Sequence, residues 1–362
     1  MATIPADDRH PAPAPRPGGD RAPRGAARLL LVSRAAESDS LLACRRVAAH
    51  LTGLRIVSRP GAGEHDGAAA GPVADIALVC DDGPAAEMLL DRGVPVVWLR
   101  SGHDPAPASG PDCRAVRRVH RPGWLPPSGS TPDGADGALP VGTLAPVRLT
   151  RSRRRGGTLL LLSFWGVPDD EAAAFAREVL PGLTASAVRH TGGCTVVHDR
   201  AGPPARAALE AVRRPGRRAS AGAPHLPAAP DAGGGVTVHR AAEVDVDAWH
   251  AAAEVFWTSP TLCGLALARA RGSPVGLLPP LGAAQRDLAA RLSARAAGPR
   301  STAADAAAPG VPGVPGAGFP GELPPEGTGS GSAPFPQEPD PEDLRGAQRV
   351  ARALRQLAFA PL

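Results

Sequence analysis

Acidic side chains and one histidine follow the apolar runs in the first half of the chain, where they could exchange protons with a bound molecule. They are Glu37, Asp39, Asp81, Asp82 and His103. Carboxylates and imidazoles are the usual general acids and bases of proteins. Each of the acidic residues could equally be a helix cap or a turn residue. His103 lies in "RSGHD" directly after an apolar run, a position typical of binding loops.

The absence of three residue types excludes several reactions. The 362 residues include no Lys, Asn or Tyr, so all 40 basic side chains are Arg. P-loop phosphate binding, protein-kinase chemistry and Schiff-base catalysis all need a lysine, and N-glycosylation needs an asparagine. The five cysteines lie far apart without C-x-x-C spacing, which indicates small buried side chains in a reducing compartment.

Charge and hydropathy limit the partners and the location. The net charge is +5, but the Arg residues are spread along the chain and aromatic residues make up only 3%, too few for stacking nucleic-acid bases. The first 25 residues have no apolar core of a secretory signal, and no apolar run is long enough to cross a membrane. We therefore expect a cytoplasmic protein with no transmembrane segment and no nucleic-acid partner.

Short apolar runs alternate with segments of helical periodicity, and this alternation predicts parallel α/β sheets. Strands are predicted at "RLLLV", "ADIALVC", "VPVVWL", "TLLLL" and "CTVVH", and residues 104–137 are expected to form one long loop. The predicted fold is two Rossmann-like parallel-sheet domains facing across a cleft. Its predicted parts are a disordered tail (1–25), a first domain (26–150), a second domain (151–297), a disordered Pro/Gly-rich segment (298–340) and a C-terminal helix (341–362).

One segment of the second half carries a family resemblance. Residues 259–285 read "SPTLCGLALARARGSPVGLLPPLGAAQ". The spacing of its Ser, Gly, paired Pro and Gln resembles the donor-binding signature of the MurG-like branch of GT-B glycosyltransferases. The segments "RLLLVSRAAESDSLLACRRVAAHL" and "ADIALVCDDGPAAEMLLDRGVPVVWLRSGH" look most like a narrower group, the proteins related to cytosylglucuronic acid (CGA) synthase.

This resemblance implies a nucleotide-sugar site in the second domain and an acceptor site in the first. The helix that begins near Thr261 would offer free backbone N–H groups to a diphosphate. Residues implied at the donor site are Ser163, Trp165, Gly166, Ser259, Pro260, Thr261, Leu262, Pro280 and Gln285. The base that deprotonates the acceptor would be His103, Glu37 or Asp39.

Several positions depart from the pattern. Thr261 stands where the family usually has Gly, and the first loop, "SRAAESDS", has neither the Gly nor the His of this branch. The family's helix carries a Glu that binds the ribose hydroxyls, and Leu267 stands there in this chain. Leucine cannot accept those hydrogen bonds. Two functions therefore remain open. One is transfer of a sugar, such as glucuronic acid, from a UDP-sugar to a small acceptor in secondary metabolism. The other is a catalytically degenerate homologue that acts as a binding or partner protein. GT-B enzymes as a class do not use a D-x-D metal site, so we expect no metal, and the UDP-sugar would be a substrate rather than a cofactor.

Overall fold

A computed structural model describes residues 26–34, 37–57, 74–103, 114–125, 137–148, 152, 154–213, 235–273, 275–296, 338 and 340–359. The predicted disordered tail and nearly all of 298–340 lie outside these residues, as does Cys113. The other four cysteines are buried and form no disulfide bond with one another.

The first half forms a six-stranded sheet in the order β2-β1-β3-β4-β5-β6, and every pair of neighbours is parallel. Its strands are β1 (Arg28–Ser33), β2 (Arg55–Ile56), β3 (Ile76–Cys80), β4 (Val96–Arg100), β5 (Val116–Val119) and β6 (Leu139–Pro140). Two helices belong to it, α1 (Ser38–Ala48) and α2 (Gly83–Asp91). β3 is completely buried, as its uninterrupted apolar sequence indicates.

The second half forms a five-stranded parallel sheet in the order β11-β10-β7-β8-β9. Its strands are β7 (Thr158–Leu162), β8 (Cys194–His198), β9 (Val236–Arg240), β10 (Val255–Thr258) and β11 (Gly276–Leu277). Its helices are α3 (Asp169–Ala174), α4 (Leu180–Thr191), α5 (Pro203–Val212), α6 (Val246–Ala252), α7 (Leu262–Ala270) and α8 (Gly282–Ala296). A single π-helical turn, Phe175–Val179, joins α3 to α4 just before Pro181, which lacks the N–H that an uninterrupted helix would use.

The predicted fold class is confirmed, but one local prediction was wrong. Residues 104–137 are not simply a loop, because Val116–Val119 forms β5 and pairs with both β4 and β6. The strand has only four residues and its two central ones are Arg117 and Arg118. A strand this short, with charged side chains at its centre, has neither the apolar run nor the alternation that identifies strands in a sequence.

The C-terminal helix α9 (Gly346–Phe359) returns to the first sheet, where it packs against α1, β3 and β4. Its buried residues join a hydrophobic cluster that contains Leu29 and Leu78 of the first sheet and Leu159 and Phe256 of the second. The two domains therefore share this apolar cluster, in addition to one cluster within the second domain and one within the first. This core fixes the first turn of α1 against the second domain, which determines the geometry of the site.

Candidate functional site

A small pocket lies where the carboxyl edges of the two sheets meet, and it gathers residues from both halves of the chain. Its lining residues are Glu37, Asp39, His103, Ser163, Trp165, Pro260, Thr261, Ala284 and Gln285. All except Ala284 were predicted from the sequence as site residues. Its volume is about 40 Å³, enough for a few water molecules.

The amino end of α7 is closed by a carboxylate from the other domain. Thr261 is the N-cap residue of α7, and its hydroxyl accepts a hydrogen bond from Gly264 N. The next two amides, Leu262 N and Cys263 N, donate to the two carboxylate oxygens of Asp39 at 3.0 and 2.9 Å. Burial raises the pKa of Asp39 to about 6, even though these hydrogen bonds favour the charged form. The N–H groups that were expected to face a diphosphate thus bind Asp39 in this structure.

A second carboxylate, that of Asp199 directly after β8, binds donor groups of the loop after β7. It accepts hydrogen bonds from Ser163 Oγ at 2.6 Å and from Phe164 N at 2.7 Å. It also accepts a longer one, 3.4 Å, from Ser38 N at the start of α1. Burial raises the pKa of Asp199 to about 7. Each domain therefore supplies one carboxylate to the first turn of a helix in the other.

Gln285 and Ser259 hold the floor of the pocket together. The Gln285 side chain donates to Ser163 O at 2.8 Å and accepts from Leu281 N at 3.0 Å. Ser259 Oγ accepts a hydrogen bond from Ser163 N at 3.1 Å, which ties the loop after β10 to the loop after β7. Both side chains are buried and act within the second domain.

Buried carboxylates form the first-domain wall. Glu37 receives a hydrogen bond from Arg34 at 3.1 Å and lies against Gly102, where an added Cβ would be 2.6 Å from Glu37 Oε1. Burial, together with the charges of Asp81 and Asp39, raises the pKa of Glu37 to about 9, so this carboxyl is protonated at neutral pH. Asp81 has the strained φ of 60° and accepts hydrogen bonds from the amide and the hydroxyl of Ser101. These contacts set the path of the loop that carries His103.

His103 lies on the first domain and meets α8 of the second. Its Nε2 donates to Asp287 Oδ2 at 2.6 Å, and Arg291 approaches the other ring nitrogen, Nδ1, at 3.4 Å. Since a carboxylate oxygen can only accept, this contact requires a proton on Nε2, while Nδ1 faces the Arg291 guanidinium, which is a hydrogen-bond donor. The imidazole is thus oriented by a residue 184 positions away in the sequence.

The mouth of the pocket is aromatic. Trp165 is 41% exposed, and the Arg34 guanidinium lies over its ring at 5.2 Å from the centroid. Arg34 also pairs with Glu37, so the loops after β1 and β7 meet at this point. An exposed indole beside a pocket offers a flat apolar surface to a sugar or a planar ring.

Four of the predicted donor residues do not line the pocket. Gly166 adopts a φ of 68° next to Trp165, and Pro280 is exposed. Ser259 is buried, and its hydroxyl accepts a hydrogen bond from Ser163 N. The side chain of Leu262 packs into an apolar cluster with Trp124 and Leu288, while its backbone N–H binds Asp39.

Leu267 is completely buried in the hydrophobic cluster that spans the two domains. On the first-domain side this cluster includes Leu41 and Cys44 of α1. The Leu267 side chain thus belongs to the packing between the domains.

Sequence reasoning missed Asp199, Asp287 and Arg34 as members of the site. Asp199 directly follows a buried strand, a signal that was present in the sequence and could have been used. Asp287 lies on an ordinary amphipathic helix, where a single carboxylate carries no signal. Among the residues that the structure describes, no group of three or more His, Cys, Asp or Glu side chains could hold a metal ion. Within the same residues, no helix has the length and apolarity needed to span a bilayer.

Two parallel α/β sheets whose carboxyl edges meet at a shared pocket give the chain the architecture of the GT-B class. The family model described as "CGA synthase-related protein" matches residues 29–362. The chain belongs to this family, as its sequence resemblance indicated. A comparison with curated proteins found no significant match.

Solved glycosyltransferases show a distant likeness. Spinosyn rhamnosyltransferase SpnG is 17% identical, with a TM-score of 0.39 over 74% of this chain and 84% of that one. Glycosyltransferase SnogD from Streptomyces nogalater is 14% identical, with a TM-score of 0.36 over 92% and 96%. The glycotransferase of kitacinnamycin is 15% identical, with a TM-score of 0.36 over 93% and 96%.

Proposed function

We propose that this protein transfers a sugar from a UDP-sugar to a small acceptor, with His103 as the general base. The supporting observation is the pocket itself, which combines His103 and its partner Asp287 with the amino end of α7. A histidine oriented by a carboxylate is a common way to prepare a base for a hydroxyl or amine nucleophile. Glucuronic acid is the sugar that the family resemblance suggests.

The other two candidate bases are less suited to this role. Burial and neighbouring carboxylates raise the pKa of Glu37 to about 9, which favours its protonated form over the form that accepts a proton. Both oxygens of Asp39 are engaged by backbone amides of α7. His103 lies at the boundary between the domains, where Nε2 meets Asp287 and Nδ1 faces Arg291 at 3.4 Å.

Calorimetry with UDP and UDP-glucuronate tests the proposal. Binding at millimolar concentration or tighter is expected, and Gln285→Ala should weaken it because the loop at Ser163 loses its support. If a UDP-sugar binds and turns over, His103→Gln should reduce the rate about 10²- to 10⁴-fold, and Asp287→Asn should reduce it through the orientation of His103. Asp91→Asn, which changes an exposed carboxylate paired with Arg114, is the matched control and should have no effect. No binding of either nucleotide at millimolar concentration would reject the transferase function.

A specific observation favours the second candidate, a degenerate GT-B homologue that acts as a binding or partner protein. Leu267 lies in the interdomain core, so the ribose hydroxyls have no carboxylate at that position. The same calorimetry separates the two functions, because the degenerate protein would leave UDP unbound.

A further inference from the structure

The amino end of α7 is an anion-binding element that already holds an anion. Asp39 places one carboxylate oxygen on Leu262 N and the other on Cys263 N. Amides in the first turn of a helix have no partner within the helix and carry the positive end of its dipole. A phosphate group would use the same two donors. The carboxylate and a phosphate therefore compete for one position.

The neighbouring amide donors are engaged in a similar way. Phe164 N and the Ser163 hydroxyl, which lie in the loop after β7, bind Asp199. Asp39 comes from the other domain, and its partners on α7 are more than 220 positions away in the sequence. It is therefore a contact made only by the folded tertiary structure, unlike an ordinary N-cap such as Asp245, which serves its own helix α6.

Other contacts hold the body of α1 against the second domain. Arg45 donates to the backbone carbonyls of Ala241, Ala242 and Val244 at 2.6–2.8 Å. Arg46 is completely buried and pairs with Asp247 at 2.7 Å. Displacement of the Asp39 side chain would therefore leave these interdomain contacts in place.

We propose that Asp39 is an internal competitor for the amino end of α7, which keeps the anion site closed until a diphosphate displaces its carboxylate. The proposal rests on the proposed function for the identity of the anion, a nucleoside diphosphate. In this proposal Asp39 regulates access to the amino end of α7 and does not act as the catalytic base.

Inorganic pyrophosphate and the full-length chain provide the test. Asp39→Ala should bind pyrophosphate about 5- to 30-fold more tightly than the wild type, because the competing carboxylate is removed. Asp39→Asn retains one acceptor oxygen and the side-chain shape, so its pyrophosphate affinity should lie between those of the wild type and Asp39→Ala. This variant tests the proposal even if Asp39→Ala does not fold. Asp245→Ala is the matched control, since it removes a carboxylate cap that lies within one domain, and its pyrophosphate affinity should equal that of the wild type.

The outcomes distinguish this proposal from the proposed function. Equal or weaker pyrophosphate binding by both Asp39 variants would overturn the competition, even if UDP binds to the wild type. Absence of pyrophosphate binding in the wild type and both variants would also overturn it. Tighter pyrophosphate binding by Asp39→Ala without any binding of UDP would support the competition and reject the transferase function.

Discussion

Replacing Arg46 with methionine should sharply destabilise the folded protein, because Arg46 is the buried polar link between the domains. Its Nε and Nη2 donate to the two oxygens of Asp247 at 3.0 and 2.7 Å. Its Nη1 donates to Leu144 O at 2.8 Å and to Cys263 O at 3.2 Å. Although burial opposes ionisation, the Arg46 charge holds the pKa of Asp247 below its usual value.

The magnitude follows from what is left behind. Arg46→Met leaves the Asp247 carboxylate without its partner and two buried carbonyls short of a donor. Breaking a fully buried ion pair by removing one partner costs about 3–5 kcal/mol, and because the Asp247 side chain is 21% exposed we expect the lower end of this range. This is a large fraction of the roughly 5–15 kcal/mol that stabilises a typical folded protein. The double variant Arg46→Met/Asp247→Leu should lose less than the sum of the two single variants, because neither charge is then stranded.

Chemical denaturation of the four proteins in this cycle measures the effect. Arg114→Met is the matched control, because its pair with Asp91 is exposed and should contribute about 0–1 kcal/mol. A loss below about 1 kcal/mol for Arg46→Met, or strict additivity in the double variant, would show that the domains are not joined through this pair.

Three other predictions concern the site. Leu267→Ala should lower the free energy of unfolding by about 2–5 kcal/mol, because it opens a cavity in the shared core. If chemical denaturation shows no change in this free energy, Leu267 does not pack in the interface. Gly102→Ala should reduce activity without unfolding the protein, since the new Cβ would displace the Glu37 carboxyl; full activity in a turnover assay would contradict this contact. The folded pKa of Asp39, about 6, exceeds its ordinary value of 3.8, so its contribution to stability is fully present below about pH 4 and is lost as the pH rises through 6. The difference in unfolding free energy between wild type and Asp39→Asn should therefore change by about 3 kcal/mol between pH 4 and 8, and a constant difference would refute the raised pKa.

Much of the architecture could be predicted because it depends on local patterns. Fully buried strands such as β3 and β7 are continuous apolar runs, and helices α2 and α7 begin at recognisable caps. Because the carboxyl ends of parallel strands meet at one edge, residues that follow those strands were expected to converge. The pocket residues Glu37, His103 and Ser163 do so.

The partners of those residues could not be predicted. Asp39 meets α7, and His103 meets Asp287, across separations of about 180 residues or more. No periodicity or spacing relates residues this far apart, and each carboxylate has an equally good local role as a cap or turn residue. Likewise, β5 was missed because its short, arginine-containing segment acquires strand structure only by pairing with its neighbours.

The sequence by itself determined the parallel α/β class, the family and the absence of lysine chemistry. Those features depend on residue type and local order alone. Only the tertiary structure decided that Asp39 and Asp199 occupy the anion-binding amides and that Asp287 orients His103. Hydrogen-bond partners are selected by which groups packing brings within about 3 Å of each other, and that selection depends on how the two domains are held together by their shared core.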